Sequence, residues 1–280
     1  GTRETDALQP GNLVDRVDAV CLSGGSVYGL DAASAITAEL GAEGRGFAMG
    51  APPVASPIVP AAILFDIGNG GAKDWGATPP YYLLGKQAFD TRAAEFALGN
   101  CGAGFGAQAG QLKGGLGSAS TMIDADVCVG ALLAVNPVGA VCDAHGTFWV
   151  QHLALNHKGA PEFGRPDAQA PQAGASHPLA ASKLSGLTAG ANTTIGVVAV
   201  TADLTPAECK RVAIMAQDGL ARAIRPIHTP FDGDTIFVLA TGTKPLARAA
   251  EVRPLALAVL GALAADCVAR AIARAVWFCR

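Results

Sequence analysis

One junction constrains this chain more than any other stretch. Residues 157–192 include GAPEFGRPDAQAPQAGASHP, rich in Ala, Gly, Pro and Gln, and lead directly into TTIGVVAV, residues 193–200. The first composition cannot pack a core, whereas the second, β-branched and apolar, is a buried strand. A connection of that length inside a compact domain is functional or mobile. The fold must therefore deliver a long polar segment to the first residue of a core strand, Thr193.

The remaining periodicity alternates strands with helices. VDAVCL (17–22) predicts a buried strand, SGGS (23–26) a tight turn, and 27–40 a helix ended by the glycines at 41–46. Residues 59–67 predict a strand that ends in GNGG, and 90–98 a short helix. Strands are expected at 118–122 and 127–135 around a turn at 124–126, and a hairpin at 138–142 and 147–153. Thr205-Pro206-Ala207-Glu208 is a helix start with a capping box, and Pro226 ends that helix. Asp232-Gly233-Asp234 is a turn before a strand at 235–240, and a long helix over 246–278 is expected to bend at Pro254. Sheets packed face to face under helical layers would satisfy this order.

Composition narrows the function. Half of the 280 residues are hydrophobic and 15% are charged, enough for one sizeable core. The net charge is −3 and no basic block exceeds two residues, which argues against nucleic-acid binding. The apolar stretch 254–265 is shorter than the ~20 residues that cross a bilayer, so no membrane span is expected. Seven Cys, an odd number with no CxxC unit, read as reduced thiols of a cytoplasmic protein. The five His form no HExxH or paired ligand spacing, so neither a metal nor another cofactor is expected. GxSxG is absent.

Several residues could carry chemistry. If the bond between Asn192 and Thr193 breaks, Thr193 gains an α-amine of reference pKa ~7.7–8.0 beside its own hydroxyl, uniting nucleophile and base. The plain alternative is a loop entering an ordinary strand. Asp232 and Asp234 could hold that amine, bind a metal, or only cap their turn. Lys113, in LKGGLGSAS, could bind phosphate although GxxxxGK[ST] is missing. Asn136 could donate to an oxyanion or form a turn before Pro137. Tyr28, in SGGSVYG, could present a hydroxyl to a site or merely start a close-packed helix.

The blocks GTRETDALQPGNLVDRVDAVCLSGGSVYGLDAAS, LKGGLGSAS, VGALLAVNPVG, NTTIGVVAV, MAQDGLARAIRPIHTPFDGDTIF and ATG occur in order over nearly the whole chain. Together they resemble the L-aminopeptidase/D-esterase family of N-terminal-nucleophile hydrolases, on the side of the nylon-oligomer (6-aminohexanoate oligomer) hydrolases. The resemblance implies an α+β fold, a four-layer αββα sandwich. It implies a single hydrolase domain over 1–280, cleaved by itself into 1–192 and 193–280. It implies Thr193 as nucleophile, Asp232 and Asp234 near its amine, Lys113 and Asn136 at the same site with Asn136 toward the oxyanion, and Tyr28 nearby. Family members carry several dozen residues before GTRETD that would add strands to the sandwich. A small amide or peptide substrate and a homo-oligomer, tetramer or larger, of cleaved heterodimers are the implied partners. Two rival readings stay open: a nucleotide- or phosphate-binding α/β protein, and an assembly subunit without activity.

Overall fold

A computed structural model describes residues 1–51, 53–123, 126–165, 182–183, 192–247 and 251–279. Its centre is a four-stranded sheet in the order β11 (Thr235–Lys244), β10 (Thr193–Ala202), β7 (Cys128–Asn136) and β6 (Gly115–Met122). β6 and β7 form an antiparallel pair. β10 lies antiparallel to β7 and parallel to β11. The inner strand β10 is buried at every position from Thr193 to Gly196 and at alternate positions beyond, with Ala199 exposed, so one face is covered along the strand and the other at its start.

A second, three-stranded sheet has the order β1-β3-β2, from β1 (Thr2–Arg3), β2 (Cys21–Ser23) and β3 (Ala61–Ile63). Short two-stranded ladders join β4 (Gln108–Ala109) to β5 (Leu112–Lys113) and β8 (Asn156–His157) to β9 (Ala160–Pro161).

Three apolar clusters tie these elements together. Ala62 and Leu64 meet Ala134, Ile195 and Phe237, so the two sheets face one another. Cys21 and Ala61 pack on Ala33 and Leu40 of α1 (Asp31–Ala42) and on Phe89 of α2 (Tyr81–Asp90). The outer face of the larger sheet, with Val129, Leu133 and Val198, meets Leu220 of α3 (Pro206–Ala223) and Val268 and Ile272 of α4 (Arg253–Trp277).

Local chemistry explains the helix boundaries. Thr205 and Glu208 form the expected capping box, with Thr205 N–H donating to Glu208 Oε2 at 2.8 Å and Thr205 Oγ accepting from Glu208 N–H at 3.3 Å. The same carboxylate takes a forked bond from Arg253, 2.6 Å from Nε and 2.9 Å from the second guanidinium nitrogen, so the starts of α3 and α4 are tied. The two helices cross closely at Gly219, where a Cβ would stand 2.3 Å from the Ala265 carbonyl oxygen.

Several expectations change. Pro254 starts α4 rather than bending it, because proline fits a first helical turn without losing an internal hydrogen bond. α4 is long and apolar enough to span a bilayer, yet Leu260, Ala264, Cys267, Val268 and Ile272 are buried in the core. The helix expected at 90–98 lies earlier, as α2, and 90 is its last residue. In place of a hairpin at 138–153 there is a lone bridge between Cys142 and Phe148 and a 3₁₀ turn at Gln151–Leu153. The helix expected from 27 begins as a 3₁₀ turn at Ser26–Leu30. Asp124 and most of 166–191 lie outside the described residues. All seven cysteines are free thiols, three buried and four half-buried.

Candidate active site

Thr193 opens β10, buried to 6% exposure, and pairs across the ladder with Asn136, the last residue of β7. Its φ is 147°, a region that a β-branched residue occupies only under strain, on the order of 1–3 kcal/mol. The parallel register of Ile195 with Thr235 brings Asp232, Gly233 and Asp234 to the same end of the sheet, just after a turn closed by Asp232 N–H on the Thr229 carbonyl rather than a turn at 232–234 itself. Thr194 N–H donates to Asp234 Oδ1 at 2.7 Å. Gly233 lies against the threonine hydroxyl: a Cβ there would stand 3.3 Å from Thr193 Oγ1.

Each aspartate is held from two sides. Asp232 Oδ2 accepts from Thr229 N–H at 3.0 Å and from Thr229 Oγ at 2.6 Å, and Oδ1 accepts from Val138 N–H at 3.2 Å. Asp234 Oδ2 stands 2.9 Å from His228 Nδ1, with the carboxylate side chain 1% exposed. Burial pushes the Asp234 pKa up. The Thr194 N–H opposes that rise, Asp232 adds to it, and His228 opposes it.

Asn136 is fully buried. Its Oδ1 accepts from Gln108 N–H at 2.8 Å, Lys183 Nζ at 3.0 Å and Asn69 Nδ2 at 3.1 Å, while its Nδ2 donates to the Phe65 carbonyl at 3.1 Å. Three donors on one oxygen fix which way the carboxamide points. Phe65 and Asn69 follow β3, so the smaller sheet reaches across to a residue of the larger one.

Lys183 also donates from Nζ to the Asn136 carbonyl at 3.2 Å, and its backbone N–H donates to the Val138 carbonyl at 3.0 Å. Burial lowers its pKa from 10.5 to about 7, against the pull of Asp232 and Asp66 toward the charged form. Asp66 Oδ1 in turn accepts from Gly25 N–H at 2.7 Å, which anchors the 23–26 turn beside the site.

Thr193, Asn136, Asp232 and Asp234 therefore converge, with Asn192 buried next to them. Lys113 lies one ladder pair from that group, across from Gln108, whose N–H bonds Asn136. It is exposed and donates to the Phe105 carbonyl at 2.9 Å. The ammonium on Asn136 is that of Lys183. Tyr28 is 47% exposed and packs edge-on against Trp75 at 5.9 Å, which packs likewise on Tyr81. Sequence reasoning missed Lys183, Asn69, Asp66 and His228. One signal was available: Lys183 is the sole Lys or Arg between Arg165 and Lys210. Asn69 sat in GNGG, where asparagine reads as a turn former. Among the described residues no cluster of three His, Cys, Asp or Glu side chains could hold a metal ion.

The model of peptidase family S58 matches residues 1–280. The chain belongs to peptidase family S58. This S58 chain is 45% identical over 280 residues to an uncharacterized aminopeptidase of Mycobacterium tuberculosis (strain H37Rv), covering 97% of itself and 77% of the relative. It is 30% identical over 238 residues to the 6-aminohexanoate-oligomer endohydrolase of Kocuria sp. (strain KY2), covering 80% of itself and 60% of that enzyme. Among solved structures it resembles a Burkholderia sp. beta-aminopeptidase with a TM-score of 0.57 at 20% identity, over 91% of this chain and 65% of the other. It resembles the L-aminopeptidase D-Ala-esterase/amidase of Ochrobactrum anthropi with a TM-score of 0.54 at 22% identity, over 90% and 64%. The S58 chain thus spans under two thirds of those two structures. The likeness shows an α+β fold of the Ntn-hydrolase type, the fold ascribed to the Ochrobactrum enzyme.

Proposed function

We propose that this S58 chain cuts its own Asn192–Thr193 bond and then hydrolyses amide bonds of small substrates with Thr193 as an N-terminal nucleophile. The carrying observation is the φ of 147° at a β-branched residue that starts a rigid inner strand. Strain held at one peptide junction by a well-packed sheet is relieved when that junction opens.

The chemistry runs in two stages. Thr193 Oγ attacks the Asn192 carbonyl carbon, and the C–N bond breaks as the hydroxyl proton passes to the leaving nitrogen. Water then hydrolyses the new ester, giving an Asn192 carboxylate and restoring the Thr193 hydroxyl beside a free amine. In the second stage the amine takes the hydroxyl proton as Oγ attacks a substrate amide, and passes it to the leaving amine. Water hydrolyses the resulting acyl-enzyme. Asp232 and Asp234 flank the glycine that touches Thr193, which suits them to stabilise the protonated amine. Asn136, opposite Thr193 in the ladder, suits the oxyanion role through its carboxamide.

Substrates in this reading are small peptides or amino-acid oligomers, the 6-aminohexanoate oligomer among them, as the relatives' names suggest. The four-layer αββα order belongs to the same reading, supported by separate apolar clusters inside and outside the two sheets. Assembly of cleaved units into tetramers or larger forms is part of it as well. The test is a panel of short amides with free amino ends, assayed with wild type and Thr193→Ala. Wild type should release free acid and Thr193→Ala none; equal activity in both would overturn the reading.

A further inference from the structure

The chain before the cut contributes a side chain to the site itself. Lys183 precedes Thr193 in sequence, yet its Nζ bonds both oxygens of Asn136, Oδ1 at 3.0 Å and the backbone carbonyl at 3.2 Å. Its own N–H pairs with the Val138 carbonyl at 3.0 Å, while Val138 N–H is held by Asp232 Oδ1. Lys183 is thereby clamped at backbone and side chain to the short stretch that also faces Thr193. Asp232 and Asp66 lie near enough to favour its charged form although burial opposes it. A buried ammonium is costly unless paired, so this contact is a built site for one primary ammonium on an unbranched alkyl stem.

We propose that Lys183 is a positioning residue for self-cleavage, which docks the segment before the cut by placing its own ammonium in a primary-ammonium site on Asn136. The inference rests on the reading of Thr193 as the residue that opens the chain. It assigns the approach of the upstream segment to one side chain. The ammonium stays bound while Thr193 Oγ attacks Asn192, and no proton or bond of Lys183 is consumed. The same site is occupied in the uncleaved chain, so free alkylamines of matching shape compete for it only once Lys183 is shortened.

The experiment uses the full chain. Self-cleavage is followed by denaturing gel and intact mass for wild type, Lys183→Ala, Lys183→Met and Lys183→Arg, with melting temperatures measured on each in a Thr193→Ala background. Lys183→Ala should slow cleavage at least about tenfold, within the scale of losses seen when a reacting group is misplaced. Lys183→Arg should recover part of the rate. Millimolar n-propylamine, which replaces the deleted atoms, should speed the Lys183→Ala reaction, and tetramethylammonium of equal charge should not. If Lys183→Ala fails to fold, Lys183→Met decides: slow cleavage with a normal melting temperature supports the inference and a wild-type rate overturns it. Cleavage of Lys183→Ala at the wild-type rate, or equal effects of the two amines, overturns the inference while leaving Thr193 untouched. A wild-type chain that never opens before Thr193 overturns both.

Discussion

Thr193 and Asn136 face each other on the final rung of the β10–β7 ladder, one carrying a hydroxyl at a strained backbone position and the other a carboxamide held at both its oxygen and its nitrogen. Because both are fixed by a core sheet, their separation cannot relax when a neighbouring loop moves. That rigidity is what a site needs to meet a developing oxyanion without reorganising.

Shortening Asn136 should therefore hurt twice. Asn136→Ala is expected to lower the rate of amide hydrolysis by ~10²–10³, and to strand the donors from Gln108, Asn69 and Lys183. Each buried donor left without an acceptor costs about 1–3 kcal/mol, so the urea midpoint should fall as well. Single-turnover kinetics and urea unfolding of the same variant separate the two losses.

The buried Asp234 gives a pH signature of definite sign. Its pKa is raised in the fold above the ordinary 3.8, chiefly by burial. A raised carboxyl contributes stability that is complete below the unfolded value and disappears as pH climbs through the folded one. Asp234→Asn removes that titration. Urea midpoints measured from pH 3 upward should show wild type losing ground to Asp234→Asn as pH rises; a constant difference would contradict the shift.

Glu208 has the opposite sign. Its bond to Arg253 comes first among the causes that take its pKa from 4.5 down to about 2. The stability it supplies is present above 4.5 and is lost as pH falls through about 2. Glu208→Ala removes a capping box and the tie to α4, and should cost about 1–2 kcal/mol at neutral pH. Hydrolysis should be unchanged, since Glu208 lies at the far start of α3.

The α3–α4 crossing depends on a missing side chain. Gly219→Val would drive carbon into the Ala265 carbonyl and the Val268 side chain. Overpacking of this kind costs about 1–3 kcal/mol, read as a lower urea midpoint with the slope preserved.

Much of the framework was legible in the sequence because its signals are local. The capping box at Thr205 and Glu208 and the continuous apolar run from Thr193 each specify their own geometry within a few residues, whereas the turn expected at 232–234 closes earlier, with Asp232 N–H on the Thr229 carbonyl. The resemblance blocks added Asn136 to that end of the sheet. What escaped was non-local. Lys183 reaches Asn136 from a stretch of Ala, Gly and Pro that carries no periodic signal, and Asn69 crosses from the other sheet. The glycines beside Lys113 serve close packing as well: a Cβ on Gly114 would meet the Val135 carbonyl at 2.1 Å. α2 escaped because Gly85 sits inside it and weakens its helical signal, while the reason for that glycine is non-local: a Cβ there would stand 2.3 Å from the Ala32 carbonyl oxygen of α1.

Intact mass and N-terminal sequencing of the purified, active protein test the central claim most directly. Two polypeptides are expected, one of them beginning at Thr193. Full activity from a single unbroken chain, or a new terminus at any other residue, would contradict it.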